Sequence, residues 1–156
     1  MKAKDIGQYF LYLAERNKKP INNKKLQKLV YYAQAWHLAL TKKKLFDEPI
    51  EAWVHGPAVR SLYGRYKKYG FEPIREVIDN DIINTIPKKT KEILDSVWNV
   101  YGKFDAGYLE MLTHSEDPWL NARNNLQPHE SSTNEILIKD MINYYAGKLK
   151  KIRSEK

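Results

Sequence analysis

Cysteine is absent from the 156-residue chain, and glycine and proline occur only seven times each. Without cysteine the chain has no disulfide, no thiolate nucleophile, no Cys-ligated zinc and no iron–sulfur cluster. The scattered glycines form no phosphate-binding loop or dinucleotide-binding fingerprint, and no Gly-x-Ser-x-Gly elbow is present. These absences exclude the best-marked classes of cofactor-dependent and nucleophilic enzymes, and they fit a reducing compartment.

Long hydrophobic runs are missing as well. No segment approaches the ~18 uninterrupted apolar residues of a membrane span. Asp5, Gln8 and Glu15 interrupt the N-terminal segment, where a signal peptide would carry its apolar region. We therefore expect a cytoplasmic protein without a membrane partner.

Length and composition predict a single domain over residues 1–156. A hydrophobic share of 42% and a charged share of 29% are ordinary for a soluble globular protein. A chain of this length is long enough to bury a core of its own. The basic segment near 150–156 is expected to form a frayed tail.

Positive charge is in excess, since 27 Lys and Arg against 19 Asp and Glu give a net charge of +8. Of these cations 21 are lysines and only 6 are arginines. Arginine is the residue preferred for bidentate recognition of phosphates and bases. The charge therefore indicates first a solvated surface or an acidic protein partner, while nucleic acid stays open as a less favoured partner.

Helical periodicity dominates the chain and predicts a mainly α fold, a compact bundle of about six to seven helices. Ile6, Tyr9 and Phe10 share one face of the first helix. The second helix is expected to begin at Asn22 or Asn23, because asparagine is a good N-cap. Apolar side chains occupy more than one side of this second helix, so it should be central and buried.

A short two-stranded β ribbon is expected near residues 44–55. Over residues 50–54 aliphatic side chains alternate with Glu and Trp, which is the period of a strand with two unlike faces. Gly56 and Pro57 are expected to end the ribbon. Pro57 would then be the first residue of the next helix, where its missing N–H costs nothing.

The second half of the chain is marked mainly by its helix starts. Residues 71–86 are weakly patterned and predict a connector with one short strand or turn. Asp105 is expected to cap a short helix. Ser132 and Glu135 have the spacing of a capping box, which predicts that the last helix starts there.

A first candidate cluster surrounds the Gly-Pro pair. Its members are Trp53, His55, Gly56, Pro57, Tyr63 and Tyr66. Aromatic residues in such a cluster are core side chains with a polar tip at the surface, or they anchor a protein interface. Both interpretations stay open.

A second candidate cluster occupies residues 112–123, and its members are His114, Glu116, Trp119 and Arg123. A histidine, carboxylates and an arginine within ten residues could support acid–base catalysis, as in a hydrolase or nuclease, or bind a phosphate. In the structural alternative Glu116 or Asp117 caps a helix and Arg123 pairs with a nearby carboxylate. Direct contact with a partner is the third reading. No histidines have metal-ligand spacing, so we expect neither a metal nor a cofactor.

Four segments in this order and spacing resemble the Panacea domain, and together they cover nearly all of the chain. They are residues 26–40 (LQKLVYYAQAWHLAL), 45–70 (LFDEPIEAWVHGPAVRSLYGRYKKYG), 97–102 (VWNVYG) and 112–123 (LTHSEDPWLNAR). One departure is Ala58, where the family often has a bulkier aliphatic residue after the Gly-Pro pair. This difference is expected to change packing more than function.

The resemblance implies an antitoxin and not an enzyme. Members of this family, which includes SocA-like and phage-associated GepA-like proteins, are typically encoded next to a toxin gene and neutralise the toxin by protein–protein contact. Many of the paired toxins attack translation, including enzymes that modify tRNA. One branch of the family instead delivers a toxin to a protease. The residues of both clusters are therefore candidate partner-binding or motif positions, with a proteolytic adaptor or a basic nucleic-acid-binding regulator as the alternatives.

Overall fold

Helices account for most of the computed structural model, which describes residues 1–155. Over these residues the elements in chain order are α1 (Ala3–Arg16), α2 (Asn23–Thr41), β1 (Glu51–Trp53), β2 (Gly56–Ala58), α3 (Arg60–Tyr66), α4 (Asn80–Thr85), α5 (Lys88–Tyr101), α6 (Ala106–His114), α7 (Asp117–Arg123) and α8 (Ile138–Ser154). A one-turn 3-10 helix, Lys67–Tyr69, extends α3. The predicted mainly α bundle with a two-stranded ribbon is confirmed.

Helix α2 forms the centre of the molecule, as its two-sided apolar pattern predicts. It packs against α1, α3, α5, α6, α8 and β2. Leu26, Leu29 and Val30 are completely buried along it. The side chain of Asn22 accepts a hydrogen bond from the Lys25 backbone N–H at 2.9 Å, which confirms the predicted N-cap.

The ribbon lies slightly later in the chain than predicted. Strands β1 and β2 are antiparallel, with Ala52 opposite Pro57 and the turn formed by the two residues between the strands. The expectation that Pro57 starts a helix was wrong, because α3 begins only at Arg60. Pro57 is tolerated in the strand because Ala52, which lies opposite, needs no donor from it. The Ala52 N–H donates to the Asn134 carbonyl at 2.8 Å, and the Ala52 carbonyl accepts from Arg123.

The segment before α8 pairs with the free edge of the ribbon. The Ala52 N–H donates to the Asn134 carbonyl, and the Ile136 N–H donates to the Ile50 carbonyl at 2.7 Å. The predicted Ser132–Glu135 capping box was wrong for this reason, since the backbone is extended here and α8 begins at Ile138. The Ser132 hydroxyl instead accepts from the Asn134 N–H at 3.0 Å in a local turn.

The predicted connector at 71–86 contains one helix that the pattern did not show. Asp79 caps α4 by accepting from the Asp81 and Ile82 backbone N–H groups. The bridge between Asn22 and Pro73 ties the start of the connector to the start of α2.

The basic C-terminal segment continues α8 through Ser154. Lys156, the last residue of the predicted frayed tail, lies outside the described residues. Within residues 1–155 no helix is both long and apolar enough to cross a bilayer.

Candidate functional site

The two candidate clusters meet in the structure, since α7 packs against β1. The indole N–H of Trp119 donates to the Trp53 carbonyl at 2.9 Å. One guanidinium nitrogen of Arg123, Nη1, lies 3.4 Å from the Ala52 carbonyl oxygen. Trp119 and Arg123 of the second cluster therefore bind the backbone of the ribbon, which carries Trp53 and Gly56 of the first cluster.

Arg123 is buried, with 2% of its surface exposed, and it binds backbone carbonyls. Nη2 donates to Gln127 at 2.8 Å and to Glu130 at 2.6 Å, with Pro128 at 3.4 Å. The guanidinium carbon also lies 5.0 Å from the centre of the Trp119 ring. The expected pairing of Arg123 with a carboxylate was wrong, because the structure uses its fork of donors to fix the loop after α7.

Glu116 is buried between α2, α7 and α8, and it accepts hydrogen bonds from two tyrosines. The hydroxyls of Tyr32 and Tyr145 lie 2.8 Å and 2.9 Å from Oε1. The Lys148 ammonium is 3.5 Å from Oε2. Burial raises the pKa of this carboxyl, and the two tyrosine bonds oppose that rise. The Glu116 side chain makes no capping bond to α7, although the residue occupies the N-cap position.

His114 stacks on Trp119, with ring centres 3.9 Å apart and planes inclined by 18°. Burial lowers the pKa of this imidazole. Its buried Nε2 has no hydrogen-bond partner among residues 1–155. No hydrogen bond in this range joins His114 to Glu116 or Arg123, so the structure does not assemble these three side chains around a common point.

The first cluster divides between the interior and a surface cleft. Tyr66 is fully buried, and its hydroxyl accepts from the Gln8 side-chain amide at 3.2 Å. Trp53, His55 and Tyr63 line a cleft of about 650 Å³ between the hairpin, α2 and the segment 131–133. Within it the rings of Trp53 and Tyr63 meet edge to face, with centres 5.0 Å apart.

Gly56 is required by its surroundings. Its φ of +107° is in the region that favours glycine. A Cβ placed there would collide with Cε of Lys28, and it would lie 3.1 Å from both the Lys28 ammonium and Thr113 Oγ1. The backbone of the hairpin therefore passes directly over the Lys28 side chain.

Lys28 is the functional candidate that sequence reasoning missed, because the distribution of lysines along the chain predicts a solvated surface. It is 2% exposed and lies on the floor of the cleft. Burial, with a smaller contribution from the neighbouring Lys24, lowers the pKa of its ammonium to about 7, and Glu110 opposes this decrease. The available signal was its position on α2, where an apolar pattern on more than one side leaves little room for an exposed lysine.

The basic side chains at the rim of the cleft already have carboxylate partners. The Lys24 ammonium lies 2.8 Å from Glu110 Oε1, and His55 Nδ1 lies 3.1 Å from the same oxygen. Arg60 Nη2 lies 2.8 Å from Glu51 Oε1. Within residues 1–155 no cluster of three or more His, Asp or Glu side chains could hold a metal ion.

A comparison with protein-family models identifies the family of this chain. Residues 26–120, more than half of the chain, match the model described as antitoxin SocA-like, Panacea domain. The chain belongs to this SocA-like Panacea-domain family. The matched span contains Lys28, Glu116 and the cleft lining apart from the segment 131–133, which lies beyond it together with Arg123 and the Tyr145 partner of Glu116. No curated protein and no solved structure matches the chain significantly.

Proposed function

We propose that this Panacea-domain protein is the antitoxin of a toxin–antitoxin pair and neutralises a cognate toxin by direct protein–protein binding. Its membership of a family of SocA-like antitoxins carries the proposal. We propose further that the toxin is encoded by an adjacent gene, acts on translation or tRNA, and is met in the cytoplasm.

The polar side chains of the second cluster support a binding role over catalysis. Glu116 and Arg123 are buried and form several internal hydrogen bonds each. A general acid or base has to reach substrate within hydrogen-bond distance. We therefore propose that the protein is not an enzyme and that the second cluster stabilises the fold.

The surface supports a protein partner through its exposed aromatic residue. Phe71 is 89% exposed and lies at the edge of the cleft beside Trp53 and Tyr63. Aromatic residues of this kind are enriched among the side chains that dominate binding energy at protein interfaces. In the occluding mode we propose, this face of the antitoxin covers the toxin's active site or its substrate-binding face.

Co-expression with the product of the adjacent reading frame tests the proposal. We expect the second protein to stop growth when expressed alone, and we expect stoichiometric rescue and co-purification when both are present. Rescue without a stable complex, together with toxin loss that depends on a host protease, would favour the adaptor alternative. Absence of both toxicity and complex formation would contradict the antitoxin function.

A further inference from the structure

The Lys28 ammonium has unused hydrogen-bonding capacity on the floor of the cleft. It carries three N–H donors, and the Pro57 carbonyl accepts one of them at 3.3 Å. Among residues 1–155 no carboxylate lies within salt-bridge distance of this nitrogen. A buried ammonium without a counter-ion is unfavourable, so an anion that enters the cleft would stabilise the charged form of Lys28.

The neighbouring charges leave room for one negative charge only. Glu110 neutralises the Lys24 and His55 side of the rim, and Glu51 holds Arg60. Lys28 is then the one lining cation of the described cleft without an acidic partner. A single ammonium balances a monoanionic carboxylate, whereas a dianionic phosphate would bring a second charge with no free cation to meet it.

The walls of the cleft indicate that this carboxylate belongs to a protein. Trp53 and Tyr63 form an aromatic wall, and the exposed ring of Phe71 stands at the rim. Such a surface would pack against the apolar side chains that flank an acidic residue in a folded partner.

We propose that the cleft binds an Asp or Glu side chain of the cognate toxin, with the Lys28 ammonium as its counter-ion beneath the Gly56 backbone. This rests on the proposed antitoxin function and names the chemistry by which the partner is recognised. It also gives the complex a pH dependence, because a carboxylate beside the ammonium raises the pKa of Lys28 and binding then takes up a proton. Lys24, Glu110 and His114 are the other titratable groups that face this position, from α2 and α6.

Titration calorimetry with the purified toxin tests this link. Heats are measured at about pH 8 in two buffers of different ionisation enthalpy, for the wild type, Lys28→Met and Lys44→Met. We expect the wild type to take up close to one proton more than Lys28→Met, and its affinity to fall up to about tenfold per pH unit above pH 7. Lys28→Met should bind at least about tenfold more weakly and lose this pH dependence. Lys44→Met, at an exposed lysine that does not line the cleft, should keep both the proton uptake and the pH dependence.

Equal affinity and equal proton uptake in the wild type and Lys28→Met would overturn the inference while leaving the antitoxin function intact. Met fills a similar volume without the buried charge, and a thermal melt checks that the variant is folded. Phe71→Ser gives an independent readout that does not disturb the interior. It should weaken toxin binding at least about tenfold, whereas Val77→Ser, an equally exposed apolar residue (94%) that does not line the cleft, should not. If Phe71→Ser binds the toxin as tightly as the wild type does, the proposed docking site is also wrong.

Sodium acetate, a simple carboxylate, tests the site in the absence of the toxin. Acetate should shift the Gly56 amide resonance of the wild-type protein and leave that of Lys28→Met unchanged. If acetate produces this shift but the toxin does not bind, the carboxylate site is supported and the antitoxin function is contradicted. Absence of a shift in the wild type would overturn the site, and markedly tighter binding of inorganic phosphate than of acetate would overturn its assignment to a carboxylate.

Discussion

Arg123 and Glu116 show how the same side chain can indicate catalysis in a sequence and stabilise the fold in the structure. Arg123 donates hydrogen bonds to carbonyls of the loop after α7 and to one carbonyl of the ribbon. Glu116 accepts hydrogen bonds from Tyr32 of α2 and Tyr145 of α8. The structural reading of the second cluster is thus favoured, although both residues use contacts other than those the sequence suggested.

Replacement of Arg123 by Met should destabilise the protein strongly. The Ala52 carbonyl is buried and the bonds to the Gln127 and Glu130 carbonyls are part-buried. A buried carbonyl that loses its donor costs ~1–3 kcal/mol, so we expect a total loss of about 3 kcal/mol in the free energy of unfolding. This corresponds to a melting temperature lower by about 6–12 °C for a chain of this size. Thermal and urea denaturation measure the change. Arg153→Met, on the exposed end of α8, is the matched control and should stay within ~0.5 kcal/mol. A loss below ~1 kcal/mol in Arg123→Met would contradict the structural role.

Glu116→Gln should become relatively more stable as the pH rises. Because burial raises the pKa of Glu116 in the folded state, the folded protein holds this proton over a pH range in which the unfolded chain has lost it. The wild type therefore loses stability as the pH increases from the unfolded pKa, ~4.3, through the folded pKa. Gln keeps an oxygen that accepts from both tyrosines and has no charge to bury. The melting temperature of Glu116→Gln minus that of the wild type should rise between about pH 4 and pH 8, and a constant or falling difference would show that the carboxylate is not disfavoured.

At the scale of elements, the hairpin and α2 form the site together. The hairpin turns tightly over α2, and Lys28 from α2 lies beneath Gly56. The extended segment at 134–136 closes the other edge of β1, so the ribbon has partners on both sides. The position of the cleft thus depends on three segments that lie far apart in the chain.

Gly56→Ala should damage this arrangement, whereas Gly64→Ala should not. A non-glycine residue at positive φ costs ~1–3 kcal/mol, and the added methyl also displaces Lys28. Gly64 lies in α3 with open space around it, so alanine there should stabilise the protein by up to ~1 kcal/mol. Chemical denaturation of both variants measures the difference. If Gly56→Ala unfolds no more easily than the wild type, the close approach of the hairpin to Lys28 is wrong.

At the scale of the whole molecule, the net charge of +8 should govern how fast the proposed complex forms. A basic antitoxin is attracted to an acidic toxin surface, which speeds association more than it strengthens the final complex. A toxin with a basic tRNA-binding face would be repelled. In that case we expect contact away from the toxin's basic face, or through a local acidic patch of this protein such as that of Glu76, Asp79 and Asp81.

The association rate with an acidic toxin should therefore fall with salt. We expect a decrease on the order of tenfold between about 50 mM and 500 mM NaCl, while the dissociation rate changes much less. Stopped-flow fluorescence measures both rates. An association rate that does not depend on salt would contradict electrostatic steering, and a rate that increases with salt would indicate a basic contact face on the toxin.

The sequence predicted local features well because their causes lie within a few residues. The Asn22 and Asp105 caps form hydrogen bonds with backbone groups three residues away, and the ribbon depends on a period of two over a handful of positions. The start of α8 was mispredicted because a distant strand competes for residues 134–136. The prediction that Pro57 starts a helix is wrong for a similar reason, since distant residues, Asn134 and Arg123, bind the backbone groups of Ala52 opposite it, so that no acceptor there requires an N–H from proline.

By itself the sequence determined the helical composition, the central place of α2 and the family, because periodicity, caps and motif spacing are properties of neighbouring residues. Only the tertiary structure decided which polar side chains are buried and what they contact. Tyr32 and Glu116 are 84 positions apart, and Trp53 and Trp119 are 66 apart. Lys28 is unusual among the lysines because hairpin, α2 and α6 converge on it, and burial is set by that convergence rather than by the residue type.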